Sequence, residues 1–232
     1  MKLLALDAAT QACSVALQLG ETLLTRYEEP GRGHAEMILP MIDAVLREAG
    51  ITLRDLDALA VGRGPGTFTG VRIAIGVAQG LAFGADLRVV PVSDLAALAQ
   101  RVAPGEHADT HTVLACMDAR MGEVYWSAYR IAADGLVIPL APERLSRPEE
   151  VEAVGTGCIG VGTGWAAYPQ LLKRLELARS APHAVHGTLL PRAQEVARLA
   201  ARDWLQGAAV PPEQALPVYL RDKVTHEVSQ KT

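Results

Sequence analysis

Three groups of residues in this chain have types and spacings that could do chemistry. The longest is Gly62-Arg-Gly-Pro-Gly-Thr-Phe-Thr-Gly-Val-Arg72, continued through Ile73-Ala-Ile-Gly-Val-Ala-Gln-Gly-Leu-Ala-Phe-Gly84. A glycine-rich loop that opens a helix presents free N–H groups and the positive end of the helix dipole, so it can cradle a phosphate. Arg72 would stand one turn in. The spacing fits neither G-x-x-x-x-G-K-[ST], because no lysine follows, nor G-x-G-x-x-G. A structural turn explains the same residues: Gly62, Gly64 and Gly66 let the chain bend, Pro65 fixes one dihedral, and Thr67 or Thr69 caps the helix.

The second group is Asp7, Thr10 and Asp118, which stand where a two-lobed, kinase-like ATPase would place metal and phosphate ligands. Ala8, Ala9 and Gln11 replace the glycines and the basic residue that would hold phosphates, so the geometry reads as inherited without the activity. The third is His107-Ala-Asp-Thr-His111, an H-x-x-x-H spacing that can turn two imidazoles toward a metal. It sits in a polar connector behind Pro104 and Gly105, lacks the glutamate of H-E-x-x-H and has no identifiable third ligand, so a solvated loop fits it better. No G-x-S-x-G is present for a serine hydrolase. Cys13, Cys116 and Cys158 lie in apolar strands with no C-x-x-C pair, which predicts buried, inert thiols. No catalytic residue, metal ligand or cofactor is expected, and Asp7, Thr10 and Asp118 are the weak candidates for nucleotide contact.

The elements that must position these residues follow from periodicity and capping. Leu3 to Asp7 and Cys13 to Leu19 read as a hairpin, and Thr22 to Tyr27 as a third strand. A helix over His34 to Ala49 stops at Gly50 and carries two apolar stripes, Met37, Met41, Val45 and Ile38, Ile42, Leu46, broader than one buried seam requires. Pro40 predicts a kink or an irregular first turn. Thr52 with Asp55 forms a capping box before a strand at 58 to 62. The helix from about Gly70 has only Arg72 and Gln79 strongly polar before Phe83, so it needs neighbours on two sides, the second being another layer of the chain or a different protein.

Arg88 to Val92 is a strand, Ser93 caps a helix to about Val102, and Pro104 to His111 forms the domain boundary. Thr112 to Asp118, a short turn, and Glu123 to Ile131 then repeat the opening of the chain, and the two aspartates lie about half the chain apart, which predicts an internal duplication. Ser146-Arg-Pro-Glu149 reads as a capping box, Cys158 to Val161 as a strand, and Pro191 to Gln206 as a helix.

The 232 residues carry 22 Lys and Arg against 26 Asp and Glu, a net charge of −4, with no basic run. That excludes an independent nucleic-acid binder. A carboxylate at position 7 comes too early for a signal peptide, and no run of membrane-spanning length is read, so a soluble cytoplasmic protein with no membrane contact is expected.

Asp7-Ala-Ala-Thr-Gln-Ala-Cys-Ser-Val-Ala-Leu17, His34 with Ile38-Leu-Pro-Met-Ile42, the Gly62 to Gly84 stretch and Pro217-Val-Tyr-Leu-Arg221 resemble the TsaB (YeaZ) family over nearly the full chain. The resemblance implies an α/β ASKHA fold, the actin-like and sugar-kinase architecture of two RNase-H-like lobes with mixed sheets flanked by helices. The N-terminal lobe would span 1–103 and carry partner-binding helices. The C-terminal lobe would span 104–232, its tail after about 208 a candidate to pack back on the first lobe. It further implies a role in making N6-threonylcarbamoyladenosine next to the tRNA anticodon, as a non-catalytic dimerisation or scaffold subunit. TsaD, the paralogous partner, would do the chemistry, and the ATPase TsaE would join a ternary complex. tRNA would be held mainly through the partners, and a homodimer would form when the chain is alone.

Val92-Ser-Asp-Leu-Ala-Ala-Leu98 has no histidine where the partner's metal-binding motif would follow the fifth strand, in keeping with a non-catalytic role. The family's contact is made by its first two long helices, which puts Met37, Ile38, Met41, Val45, Val71, Arg72, Ile75, Ala78, Gln79 and Leu81 at the partner interface. Aspartate at Ile75 or Met41 is then expected to sever the complex and leave the monomer folded. The alternatives are a metallopeptidase-like enzyme, tested by metal content, and an ATP-binding, sugar-kinase-like enzyme, tested by calorimetry with ATP and magnesium.

Overall fold

Strand β1 (Lys2–Asp7) is apolar on both faces because both of its faces are covered. Leu4 and Leu6 point into one buried cluster, and Leu3 and Ala5 into another. A computed structural model describes residues 1–31, 33–103, 112–152, 158–177 and 184–221. β1 pairs antiparallel with β2 (Cys13–Leu19), which pairs with β3 (Thr22–Glu28). On its other edge β1 runs parallel to β4 (Ala58–Gly62), which is followed by β5 (Arg88–Val92), giving the order β3-β2-β1-β4-β5.

The second sheet repeats this pattern. β6 (Thr112–Arg120) pairs antiparallel with β7 (Glu123–Ile131), and β7 with β8 (Val137–Pro139) and β9 (Arg144–Ser146). β10 (Ile159–Val161) and β11 (Ala184–His186) run parallel to β6, so the order β11-β10-β6-β7-β8 mirrors the first sheet strand for strand. The duplication expected from Asp7 and Asp118 is the topology of the sheets.

Helices α1 (His34–Ala49) and α2 (Phe68–Ala85) cover the outer face of the first sheet. α1 runs unbroken through Pro40, whose position is exposed, and ends where Gly50 takes φ 67°. α3 (Asp94–Gln100) and α6 (Ala193–Leu205) lie between the sheets, each packed on the sheet from the other half of the chain: α6 on β1, β2, β4 and β5, and α3 on β6, β7 and β8. This middle layer is thin because its contacts are small: Ala5, Ala16, Ala58 and Ala60 meet Ala193, Ala197 and Ala200. α4 (Thr163–Ala167) and α5 (Pro169–Leu177) back the far side of the second sheet. The strands thus divide between the two halves of the chain, whereas α3 and α6 are exchanged across them.

The segment after α6 returns to the first sheet. Val210 exchanges backbone hydrogen bonds of 2.8 and 2.9 Å with Val89, the Ala215 carbonyl accepts from Gln79 Nε2 at 3.1 Å, and the Val218 N–H donates to the Arg63 carbonyl at 2.8 Å. Arg221 then crosses to the second lobe, donating to the Ala119 carbonyl at 3.0 Å and pairing with Glu123 at 2.8 Å. Two details differ from expectation. The cap of the short helical turn at Pro148–Glu150 is the Glu150 carboxylate, which takes the Arg147 N–H at 3.1 Å, in place of Glu149. α2, 18 residues with mean hydropathy 1.3, is long and apolar enough by composition to cross a membrane. One stripe of it is instead packed into the protein core, through Val71, Ala74, Ile75, Ala78 and Ala82.

Candidate functional site

A cleft of about 1660 Å³ opens between the lobes, with Thr10, His34 and Thr67 on the first-lobe wall, Asp118, Arg120 and Thr163 on the second, and Tyr219 and Arg221 from the returning tail. Thr10 and Asp118 therefore face one space, as a kinase-like site would require. Asp7 does not reach it.

Asp7 is fully buried at the end of β1, and its Oδ1 accepts the Ala9 N–H at 2.8 Å. Asp118 lines the cleft with its carboxylate already engaged: Oδ1 accepts from Tyr168 Oη and from the Arg120 N–H, both at 2.8 Å, and Oδ2 pairs with the Arg120 guanidinium at 3.0 Å. Thr10 Oγ1 accepts the Ala12 N–H at 3.2 Å, and His34 Nε2 lies 3.0 Å from the Thr10 carbonyl. Thr10 and Asp118 are thus engaged within the protein, and Asp7 is buried away from the cleft. Among the described residues, no three His, Cys, Asp or Glu side chains are grouped to hold a metal ion. His107 and His111 lie outside the described residues.

The glycine-rich loop is used up in the same way. The Arg63 N–H donates to the Val92 carbonyl at 2.8 Å, the Gly64 N–H to the Asp94 carboxylate, and the Thr67 N–H to the Ala9 carbonyl at 2.7 Å. Thr67 Oγ1 caps the helix by accepting the Gly70 N–H at 3.2 Å. A Cβ on Gly66 would collide with the Ala9 carbonyl, and one on Gly70 with the Ala8 carbonyl. Gly64, at φ +99°, is closed over by the Val218 carbonyl. The loop is a turn packed against protein on both sides, and backbone lies where a phosphate would approach.

Arg63 forks onto Glu143 of the second lobe at 3.2 and 3.3 Å. Arg72 stacks on Phe68, 3.2 Å from the ring centroid, and on Tyr219 at 4.7 Å, tying the tail to the start of α2. Neither arginine was assignable from the sequence, because Glu143 and Tyr219 come from distant segments.

Six of the ten residues expected at a partner contact are core in this structure: Ile38, Met41, Val45, Val71, Ile75 and Ala78. Met37, Gln79 and Leu81 are half-buried, and only Arg72 is exposed. The reason lies in the helical period: α2 has apolar residues on every side, so composition leaves open which stripe turns inward, and the one that does is Val71, Ala74, Ile75, Ala78 and Ala82, with Ile73 and Val77 half-buried beside it. The outward stripe of α2 is Phe68, Arg72, Gly76, Gly80, Phe83 and Gly84, with Phe83 83% exposed. Beside it α1 presents Leu39, 50% exposed, and Pro40. A Cβ at Gly76, Gly80 or Gly84 would meet nothing, so the middle of this stripe is open backbone.

The three cysteines are buried, and burial pushes the thiols of Cys13 and Cys158 up to about 11 and that of Cys116 higher still. At pH 8 a thiol at 11 is ~0.1% thiolate, against roughly a quarter for an ordinary cysteine. Native protein is expected to react with a thiol reagent at least ~100-fold more slowly than urea-unfolded protein. Rapid labelling of the native chain would contradict the burial.

The fold and sequence have close counterparts. Residues 27–227 match the family described as TsaD, tRNA N6-adenosine threonylcarbamoyltransferase. The chain is 42% identical over 97% of its length to the tRNA threonylcarbamoyladenosine biosynthesis protein TsaB of Escherichia coli, covering 96% of that protein. It is likewise 42% identical to the TsaB of Haemophilus influenzae, over 97% of this chain and 95% of that one. The chain belongs to the TsaB family. The solved structure of YeaZ from Pseudomonas aeruginosa superposes with a TM-score of 0.83 at 44% identity, over 94% of this chain and 99% of that one. The expected two-lobed α/β architecture of the family is therefore the architecture found. The motif around Gly62 that pointed to the family is also where the loop, the tail and α3 converge in space.

Proposed function

We propose that this chain is a non-catalytic subunit of the machinery that makes N6-threonylcarbamoyladenosine in tRNA, and that it works by docking on TsaD through the outward faces of α1 and α2. The observation that carries the docking is the uncovered stripe of α2: an apolar helix packed on one side, with Gly76 and Gly80 open and Phe83 exposed on the other. Exposed glycines four residues apart let a second helix approach closely, and a matching helix pair on the partner would bury some 800 Å² per side. When the chain is alone, the same stripe meets its own copy about a two-fold axis.

The non-catalytic part of the proposal is supported by the spent cleft, in which Asp118 is ion-paired and Asp7 lies out of reach. A net charge of −4 favours tRNA being held mainly by partners, TsaE among them. The experiment is reconstitution with tRNA, ATP, TsaD and TsaE. Transfer is expected only when this chain is added, with a stable complex with TsaD on gel filtration and no transfer by this chain alone. Full transfer without it, or no complex with TsaD, would overturn the proposal.

A further inference from the structure

Two carboxyl groups are buried against each other behind the cleft, on either side of the glycine-rich loop. Asp7, ending β1, and Asp94, starting α3, are 1% and 0% exposed. Each gives one oxygen to a backbone donor: Asp7 Oδ1 to the Ala9 N–H at 2.8 Å, and Asp94 Oδ2 to the Gly64 N–H. Each keeps one buried oxygen, Asp7 Oδ2 and Asp94 Oδ1, that no N–H or O–H reaches. β1 runs beside β4 with Leu6 opposite Val61, so Asp7 stands next to Gly62, and Asp94 Oδ1 lies over Gly62 where a Cβ would be, which brings the two carboxyl groups side by side.

Two charged carboxylates at such a distance away from water repel strongly, whereas one proton between them turns the contact into a short O–H···O⁻ hydrogen bond. The favourable charges facing the pair, Arg63 on Asp94 and His34 on Asp7, are outweighed by burial. Arg63 is committed to Glu143, and His34 from α1 to the Thr10 carbonyl. Glu195 from α6 adds negative charge beside Asp7, although paired with Arg192, and Cys13 from β2 is a neutral thiol.

We infer that Asp7 and Asp94 share one proton and act as a pH-sensitive latch on the glycine-rich loop. Asp94 holds the loop at Gly64, and the absent Cβ of Gly62 makes room for Asp94 Oδ1. Asp7 holds Ala9, whose carbonyl takes the Thr67 N–H at the start of α2. Closing the pair therefore pulls both ends of the loop onto β1, and an alkaline medium that removes the proton leaves two facing anions and loosens them. Burial is the main cause raising both groups above the ordinary carboxylate range, and repulsion from Asp7 is the second cause at Asp94.

The sign follows from proton counting. The folded chain keeps a proton that the unfolded chain releases near pH 4, so the stability from the pair is full below about 4 and is lost as pH rises toward the raised value. Asp94→Asn keeps the acceptor for Gly64 and supplies an N–H for Asp7 without a shared proton. Urea unfolding of both proteins between about pH 5 and pH 8 is expected to show the wild-type folded-to-unfolded ratio falling up to about tenfold per pH unit relative to the variant. Infrared spectra of protein labelled with ¹³C at the aspartate carboxyls should show a carboxylic-acid C=O stretch in the wild type at about pH 6, where ordinary carboxyls are ionised, and none in Asp94→Asn. Parallel stability profiles, or no acid stretch in the wild type, would overturn the latch. Should Asp94→Asn fail to fold, Asp7→Asn makes the mirror-image amide bond and the same spectrum decides.

Discussion

Gly80→Arg is expected to abolish binding of this chain to TsaD, by at least ~100-fold in Kd, and to leave its thermal midpoint unchanged or slightly raised. Gly80 sits on the outward stripe of α2 with empty space where a side chain would go, so the guanidinium meets nothing in the monomer. Arginine is also the better helix former by roughly 0.8–1 kcal/mol. In a helix–helix contact whose axes approach to about 8–10 Å, the same side chain has no room, and ~3 kcal/mol of lost contact is a factor above 100. Ile75→Asp, one face away, should behave in the opposite manner. Ile75 is 3% exposed within the first-lobe core, and an unpaired carboxylate there is expected to cost about 4 kcal/mol or more and unfold the lobe. Isothermal calorimetry with TsaD and a thermal melt separate the two. Wild-type affinity in Gly80→Arg would sink the docking face, and a well-folded Ile75→Asp would mean that the packing of α2 is misassigned.

Gly70→Ala is the second large effect. Its single added carbon would run into the Ala8 carbonyl and the Thr67 hydroxyl that caps the helix, and the first of these is backbone that cannot rotate away. Overpacking of this kind costs typically 1–3 kcal/mol, and a loss of about 3 kcal/mol or more is expected here because the β1–β2 turn must shift. Gly76→Ala, six residues along the same helix in open space, should instead stabilise by about 1 kcal/mol through helix propensity alone. Urea titrations of both variants read the contrast directly. Equal effects from the two would mean that the close approach of α2 to the Ala8–Ala9 turn is absent in solution.

Much of the fold was legible because its signals are local. The spans of α1 and β2, the caps at Thr67 and Ser93, the capping box of Thr52 with Asp55 and the stop at Gly50 all rest on residues within four positions of one another. The duplication was legible because each half opens with an apolar strand and an aspartate. The fate of the candidate site was less so, since most of the decisive contacts join distant segments and Arg120 alone among them is a near neighbour. Asp94 reaches Gly64, Val218 covers the loop, and Tyr168 and Arg120 take up Asp118. The inward stripe of α2 was equally hidden, because a helix apolar on all sides gives no direction to bury.

By itself the sequence determined β1 to β7, β10 and the helices α1, α2, α3 and α6 to within a few residues, and that a glycine-rich turn opens α2, because these depend on short-range sterics and hydrogen bonding; the short elements β8, β9, β11, α4 and α5 carry no such local pattern. Only the tertiary structure decided that α3 and α6 exchange lobes, that Asp7 turns inward to Asp94 while Asp118 is tied down, and that the glycine stripe of α2 is left outside. Those outcomes depend on which surfaces meet when the two sheets close on a thin alanine-lined layer, and that is a competition among long-range contacts that no local pattern records.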